Sequence, residues 1–193
     1  MNKSYILYGI VFLLLMIVFV NDEPKNKVNY TKLYSENMFL DENVQIRSTK
    51  NQKFSNQSLK DKITIVFFGY TSCPDFCPDT LARANKIFAK IQNKDIQLLF
   101  ISIDPKDELS KIKKYVEYFN KDFIGLSINN SDVKKLVEKS GIYAKKVSST
   151  GSIDFYDHTG AIFLINKESK LMGLYTPPIK DELIISDLSR MTN

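Results

Sequence analysis

Two apolar runs, Ile63–Phe68 (ITIVFF) and Gln97–Ile103 (QLLFISI), flank a stretch where Leu81, Ala84, Ile87, Phe88 and Ile91 recur at helical spacing. No other feature constrains the chain as much. The first run is β-branched and aromatic on both faces, as a strand covered on each side must be, and the second reads the same way. Between them an amphipathic helix is expected over about residues 78–93. Asp104-Pro105 ends the second strand, because the residue before a proline is driven to extended backbone. Leu109, Ile112, Val116 and Phe119 mark a further helix, and Ile124–Ile128 a short strand. Ser131 is placed to cap a helix carrying Val133, Leu136 and Val137, with Gly141 placed to end it. A polar stretch, Ser148–Ser152, precedes Asp157-His158-Thr159. Then come a strand at Ala161–Ile165, a turn at Asn166–Ser169, its hairpin partner Leu171–Tyr175, and a last helix from Lys180 to about Met191. Val44, Ile46 and Phe54 suggest an edge hairpin ahead of the first central strand. Strands alternating with helices predict an α/β sheet with helices on both faces.

The 193 residues suit one domain with an appendage. The appendage is N-terminal. Tyr5–Val20 is sixteen residues without a charge, a little short for a spanning helix and long for the apolar core of a cleaved signal. Asn21-Asp22-Glu23-Pro24 follows, with no small-residue cleavage site and no lipid-acceptor cysteine, so residues 1–20 are read as an uncleaved membrane anchor. Lys3 before the span, with Asp22 and Glu23 after it, sets the N-terminus in the cytoplasm and the bulk of the chain on the far side. Residues 21–40, rich in Lys and Asn, read as a tether, and residues 41–193 as the domain. The formal charge of +5 comes from lysines interleaved with acids, without a basic cluster between aromatics, so no nucleic-acid role is expected.

Both cysteines of the chain lie in Cys73-Pro74-Asp75-Phe76-Cys77-Pro78, directly after the first buried strand. Thioredoxin-like folds place a dithiol there, at the end of a central strand and the opening of a helix. A disulfide across so short a loop contributes little chain entropy, so the pair is there for chemistry. In a helical turn, sulfurs at i and i+4 would sit on Cβ atoms roughly 5–6 Å apart, whereas a disulfide wants about 3.5–4.5 Å. One ion bonded at about 2.3 Å to each sulfur spans the larger gap. The unpaired N–H groups of a first helical turn also favour thiolate, the form that binds metal or attacks a disulfide. Pro78 fits an early helical position, where its missing N–H costs nothing. His158 is the only histidine, eighty-one residues beyond Cys77 and just before a buried strand expected beside the one that carries the cysteines. Lone histidines are ordinarily surface or core residues, and position alone leaves ligation open. Two thiolates and an imidazole are a soft, low-coordinate set that suits Cu(I) and admits Cu(II). Structural zinc wants four protein ligands, and iron–sulfur clusters want more cysteines.

The stretch FFGYTSCPDFCPDTLA (67–82), supported by ISIDPKDE (101–108) and YDHTGAIFLI (156–165), resembles the Sco/SenC family, copper-delivery proteins for assembly of cytochrome c oxidase. The likeness runs from about Gln52 to the C-terminus. It implies a thioredoxin-like fold, a central mixed sheet flanked by helices with a β-hairpin insertion. It further implies copper held by Cys73, Cys77 and His158, and a single-pass N-terminal anchor. The expected location is a bacterial-type inner membrane, or the mitochondrial one in a eukaryote, with the domain on the extracytoplasmic side. The implied partner is the oxidase subunit that carries the binuclear copper site. Some members of the family act instead as thiol–disulfide reductants of that subunit, and Cys73 and Cys77 would then be the redox pair. Ser72 stands where many members carry histidine, Lys60-Asp61-Lys62 where the middle residue is commonly glycine, and Glu108 where the family has threonine. His158 occupies the place of the proline that redox-active thioredoxins carry before this strand, which favours metal chemistry over general disulfide exchange.

Asp75 and Asp157 flank these residues as candidate orienting carboxylates, and Asp75 fits a helix cap equally well. Tyr70 and Phe76 fit ordinary packing or a shield over the site, and Lys145 and Lys146 a solvated loop or a contact for an acidic partner. A peroxidase reading finds no Thr-x-x-Cys arrangement with a partnering arginine.

Overall fold

The two apolar runs form adjacent parallel strands at the middle of a six-stranded mixed sheet. The computed structural model describes residues 28–33, 38–41, 43, 45–50, 53–129, 131–139, 141–151 and 153–192. In chain order these form β1 (Thr31–Lys32), β2 (Ile46–Arg47), β3 (Lys53–Phe54), α1 (Asn56–Leu59), β4 (Ile63–Gly69), α2 (Phe76–Ile91), β5 (Ile96–Ser102) and α3 (Leu109–Phe119). They continue with β6 (Ile124–Ser127), α4 (Ser131–Lys139), β7 (Ala144–Thr150), β8 (Ile153–His158), β9 (Ile162–Ile165), β10 (Leu171–Tyr175) and α5 (Asp181–Thr192). The main sheet has the order β1-β10-β9-β4-β5-β6. β4, β5 and β6 are parallel, while β9 pairs antiparallel with β4, β10 with β9 and β1 with β10. Every residue of β4 and β5 is buried, which is why both runs are apolar on two faces.

α2 packs against both α3 and α5. Arg83 fastens α2 to the last helix, donating to the Asp181 carboxylate at 2.6 Å and to the Ile179 carbonyl. α2 ends at Gln92, whose left-handed φ of 48° lets its N–H reach the Phe88 carbonyl. Gly141, expected to end α4, takes φ +65°, a conformation that glycine adopts without strain. Asp61 also takes a left-handed φ, 62°, in the turn before β4, and its N–H donates to the Lys167 carbonyl. Aspartate tolerates that region better than most residues, so the turn forms without the glycine expected at this position.

Two expectations change. The polar stretch Ser148–Ser152 is not a plain loop: residues 148–150 belong to β7, which pairs with β8 in a separate two-stranded sheet. All seven residues of β7 are exposed, so the strand has no apolar period to reveal it in the sequence. The proposed tether at 21–40 is, over its described part, built into the fold. β1 extends the sheet edge, the Tyr30 ring meets Tyr175 edge-on at 5.9 Å, and Phe39 and Leu40 are buried. These apolar positions follow no strand or helix period, and the sheet edge they cover comes from far along the chain. The anchor at Tyr5–Val20 lies outside the described residues, and among the described residues no helix is long and apolar enough to cross a membrane.

Asp187 holds this N-terminal segment to α5. It is 1% exposed and accepts from the Asn29 backbone N–H at 2.9 Å, the Asn29 side-chain amide at 3.1 Å, the Tyr175 hydroxyl at 2.9 Å and Arg190. Asp187→Ala strands these buried donors and is expected to cost about 3 kcal/mol. Urea denaturation reads the loss, and limited proteolysis should show faster cutting near residues 28–33.

Candidate metal centre

The site lies where the C-terminal end of β4 meets the N-terminal end of β9. The chain leaves β4 at Gly69 and turns through Thr71–Asp75 into α2, with the Cys73 N–H donating to the Tyr70 carbonyl at 3.3 Å. Cys73 is therefore not helical, contrary to the picture of both sulfurs on one helical face. Pro74 accounts for this, because a residue before proline is driven out of helical backbone. The helix begins at Phe76, two residues earlier than expected. Cys77 is its second residue and Pro78 its third, where an N–H would have no partner in any case. The Cys77 N–H points back at Cys73 Sγ, 3.4 Å away.

Cys77 is fully buried against the end of β4. Gly69 makes room for it: a Cβ there would stand 2.8 Å from Cys77 Sγ and 3.0 Å from the Phe100 ring. His158 is the last residue of β8, in register with Ala144. The return of the chain is pinned by the Thr159 N–H on the Tyr143 carbonyl at 2.9 Å and by the Tyr143 N–H on the Thr159 hydroxyl at 3.1 Å. Rings of Phe67, Tyr70 and Phe76 surround the imidazole at centroid distances of 6.4, 6.0 and 6.4 Å.

The distance from Cys77 Sγ to His158 Nε2 is 3.8 Å. A three-coordinate ion with bonds near 2.3 Å to sulfur and 2.0 Å to nitrogen requires roughly that donor separation at 120°. His158 Nδ1 lies 3.2 Å from the Thr159 carbonyl. A carbonyl only accepts, so a bond there makes Nδ1 the protonated nitrogen and turns the Nε2 lone pair toward the sulfurs. Cys73, half-buried, has its sulfur within reach of the Cys77 thiol and the imidazole. The three donors are adjacent without being closed around a point: among the described residues no three His, Cys, Asp or Glu side chains form a ready metal cage. Rotation of the Cys73 side chain is the smallest movement that would close the set.

The two thiols are electrostatically unequal. A hydrogen bond from the Cys77 thiol is the largest influence holding Cys73 down at about 4. Burial opposes it, while the imidazole and the Cys77 and Asp75 amides assist. Cys77 is pushed far up, first by its bond to Cys73 and then by burial. The site thus carries one exposed thiolate and one buried, protonated thiol.

The flanking carboxylates do not orient His158, since Nδ1 faces a carbonyl. Asp75 precedes α2 without a side-chain capping bond, and Asp157 is exposed. Lys146 is paired with Asp154 at 2.8 Å, and Lys145 is exposed on β7. Residues that sequence reading passed over brace the loop instead. Asp107, fully buried, accepts from the Thr71 N–H at 2.7 Å, the Thr71 hydroxyl, the Ser102 hydroxyl at 2.7 Å and Lys111 at 2.9 Å. The signal that could have found it is Asp104-Pro105-Lys106-Asp107 itself, acids at the end of a buried strand on the same edge as the cysteines.

The family model described as SCO1/SenC matches residues 34–193. The chain belongs to the SCO1/SenC family. Among its Sco relatives, the SCO2-like protein of Rickettsia felis is 30% identical over 170 residues, which is 85% of this chain and 81% of that one. Two solved Sco structures match the fold. Copper-bound ScoI of Arabidopsis thaliana has TM-score 0.70 at 26% identity, covering 77% of this chain and 94% of that one. Copper-bound ScoI of Bradyrhizobium japonicum has TM-score 0.69 at 29% identity, covering 77% and 96%. The α/β architecture is thus the thioredoxin-like one of Sco proteins.

Cys73 should alkylate with iodoacetamide at a rate that rises through about pH 4 and is flat by pH 6, while Cys77 stays unreactive in the folded chain. The depressed value implies that thiolate formation favours the fold. That contribution is complete above the ordinary thiol range, roughly pH 8.5, and is lost as pH falls toward about 4. Rate–pH profiles of alkylation, read by mass spectrometry, check both statements.

Proposed function

We propose that this Sco-family chain is a copper metallochaperone that holds the metal on Cys73, Cys77 and His158. It would deliver copper to the binuclear copper site of cytochrome c oxidase during assembly. One observation carries the reading: a buried sulfur and an imidazole lone pair, eighty-one residues apart in sequence, stand 3.8 Å apart beside a second sulfur. Packing alone gives no reason for the one histidine of the chain to meet its only two cysteines. The copper-bound ScoI proteins of two organisms, similar over three quarters of this chain, support the choice of metal.

Copper is cargo here. The two thiols must be reduced to accept Cu(I), and binding displaces the Cys77 proton that burial otherwise retains. Soft sulfur donors suit Cu(I), and the same three donors admit Cu(II). Transfer would proceed by ligand exchange, with incoming cysteines of the acceptor subunit replacing donors one at a time. Oxidation of the pair to a disulfide removes two thiolates at once and expels the ion. The anchor read at Tyr5–Val20 would keep the domain at the membrane face where the acceptor lies.

The inequality of the thiols favours a second reading, a thiol–disulfide reductase of the same acceptor. Cys73 thiolate would attack a disulfide sulfur to form a mixed disulfide, and Cys77 would then close on Cys73 and free both acceptor thiols. His158 separates the readings. His158→Ala should weaken Cu(I) binding by roughly 100-fold or more, judged against the 10–100-fold cost of losing only an outer-shell partner, yet leave exchange with a model disulfide largely intact. Competition with a colorimetric Cu(I) chelator and a thiol-exchange assay on the full-length chain measure the two. Unchanged Cu(I) affinity in the variant removes the carrier reading, and oxidase assembly that survives the substitution favours the reductant.

A further inference from the structure

The hairpin that carries His158 belongs to no larger sheet: β7 and β8 pair only with each other. Sheet hydrogen bonds therefore do not set its position relative to the cysteines. Side-chain ties do, and most of them converge on the four residues Asp104–Asp107 after β5. The Tyr156 hydroxyl of β8 donates to Asp104 Oδ1 at 3.1 Å. Lys106 pairs at 3.0 Å with Asp154 of β8, a carboxylate 4% exposed that also takes Lys146. The remaining tie is direct, from the Tyr156 N–H to the Tyr70 hydroxyl at 3.4 Å, with the two rings 5.2 Å apart.

The same short turn holds the cysteine loop. Asp107 takes both the N–H and the hydroxyl of Thr71, and Lys111 bridges Asp107 to the Ser72 hydroxyl at 3.0 Å, next to Cys73. The turn is itself closed: the Asp107 N–H donates to the Asp104 carbonyl at 3.0 Å and the Lys106 N–H to Asp104 Oδ1 at 2.8 Å. It is seated on the sheet by the Ser102 and Ser127 hydroxyls.

We propose that the Asp104–Asp107 turn is the positioning bracket of the donor set, with Asp107 fixing the cysteine limb and Asp104 and Lys106 fixing the histidine limb. None of these side chains touches the metal; they set the gap that a three-coordinate ion must span. The bracket rests on the copper-carrier reading above. A donor hairpin held by a few polar bonds rather than by a ladder can also yield when an acceptor replaces the imidazole, so the bracket tunes both capture and release.

The test uses the full-length chain carrying Tyr156→Phe with Lys106→Met, which cuts two ties and leaves the cysteine loop untouched. Cu(I) affinity by chelator competition should fall roughly 10–100-fold, the range found when a partner of a metal ligand is removed. The Cu(II)–thiolate absorption band should shift, while the pH midpoint of Cys73 alkylation stays within about half a unit and Lys106→Arg alone retains wild-type affinity. A purely structural role would lower the melting temperature and leave the band where it was. Wild-type affinity together with a wild-type band in the double variant overturns the bracket. His158→Ala, run alongside, separates that result from failure of the carrier reading, in which the wild type and His158→Ala bind Cu(I) alike and the bracket falls with it. Should the double variant not fold, Tyr156→Phe alone carries the same comparison, with a loss of several-fold expected and none overturning the proposal.

Discussion

The antiparallel pairing of β9 against β4 is the constraint on which the site depends. Phe67 lies opposite Ile162 and Thr64 opposite Ile165, so the end of one strand is the beginning of the other. Whatever leaves β4 and whatever enters β9 must therefore share one edge of the sheet. Cys73 and Cys77 follow β4, and His158 precedes β9 by four residues. Parallel pairing would have put the imidazole at the opposite edge. The β4–β5 pairing adds the third part, because Ser102 lies beside Gly69 and carries Asp104–Asp107 to the same rim.

Chemistry at that rim follows from unequal burial. Cys77 sits over Gly69 with no access to water, whereas Cys73 is raised into the turn by Pro74 and surrounded by amide donors. Desolvation disfavours a charge on the first, and hydrogen bonds stabilise a charge on the second. One proton shared unequally between two sulfurs suits either task the family performs: a thiolate ready to attack, or a pair that gives up its last proton to a soft cation. The imidazole tips the balance toward metal, since disulfide exchange needs no third donor aimed at both sulfurs.

Away from the rim, the structure spends buried polar groups on joining distant segments. Asp187 binds the N-terminal segment to the last helix, and Arg83 binds α2 to the residues that precede that helix. Asp107 does the same beside the metal site. Each acid is satisfied by several donors, as a carboxylate withdrawn from water must be. The first two secure the frame, and the third fixes a loop whose position decides donor geometry.

Much of this is legible in the linear chain. ITIVFF and QLLFISI declare two buried strands because apolar side chains on both faces have only one economical environment, and the helical period between them declares the crossover. The cysteine pair after the first strand declares where chemistry sits. The sequence by itself does not disclose the β7–β8 hairpin, whose exposed strand has no period, nor the docking of Tyr30, Phe39 and Leu40, whose partners lie more than a hundred residues away. It also suggests two sulfurs on one helical face, where the proline between them holds Cys73 outside the helix. Local pattern determined the strands, the crossover helix and the position of the dithiol, since those depend on near neighbours and on contact with water. Tertiary structure alone decided that a lone imidazole meets the sulfurs at 3.8 Å with its lone pair forward, because that distance is set by strand register and by side-chain bonds between segments remote in sequence.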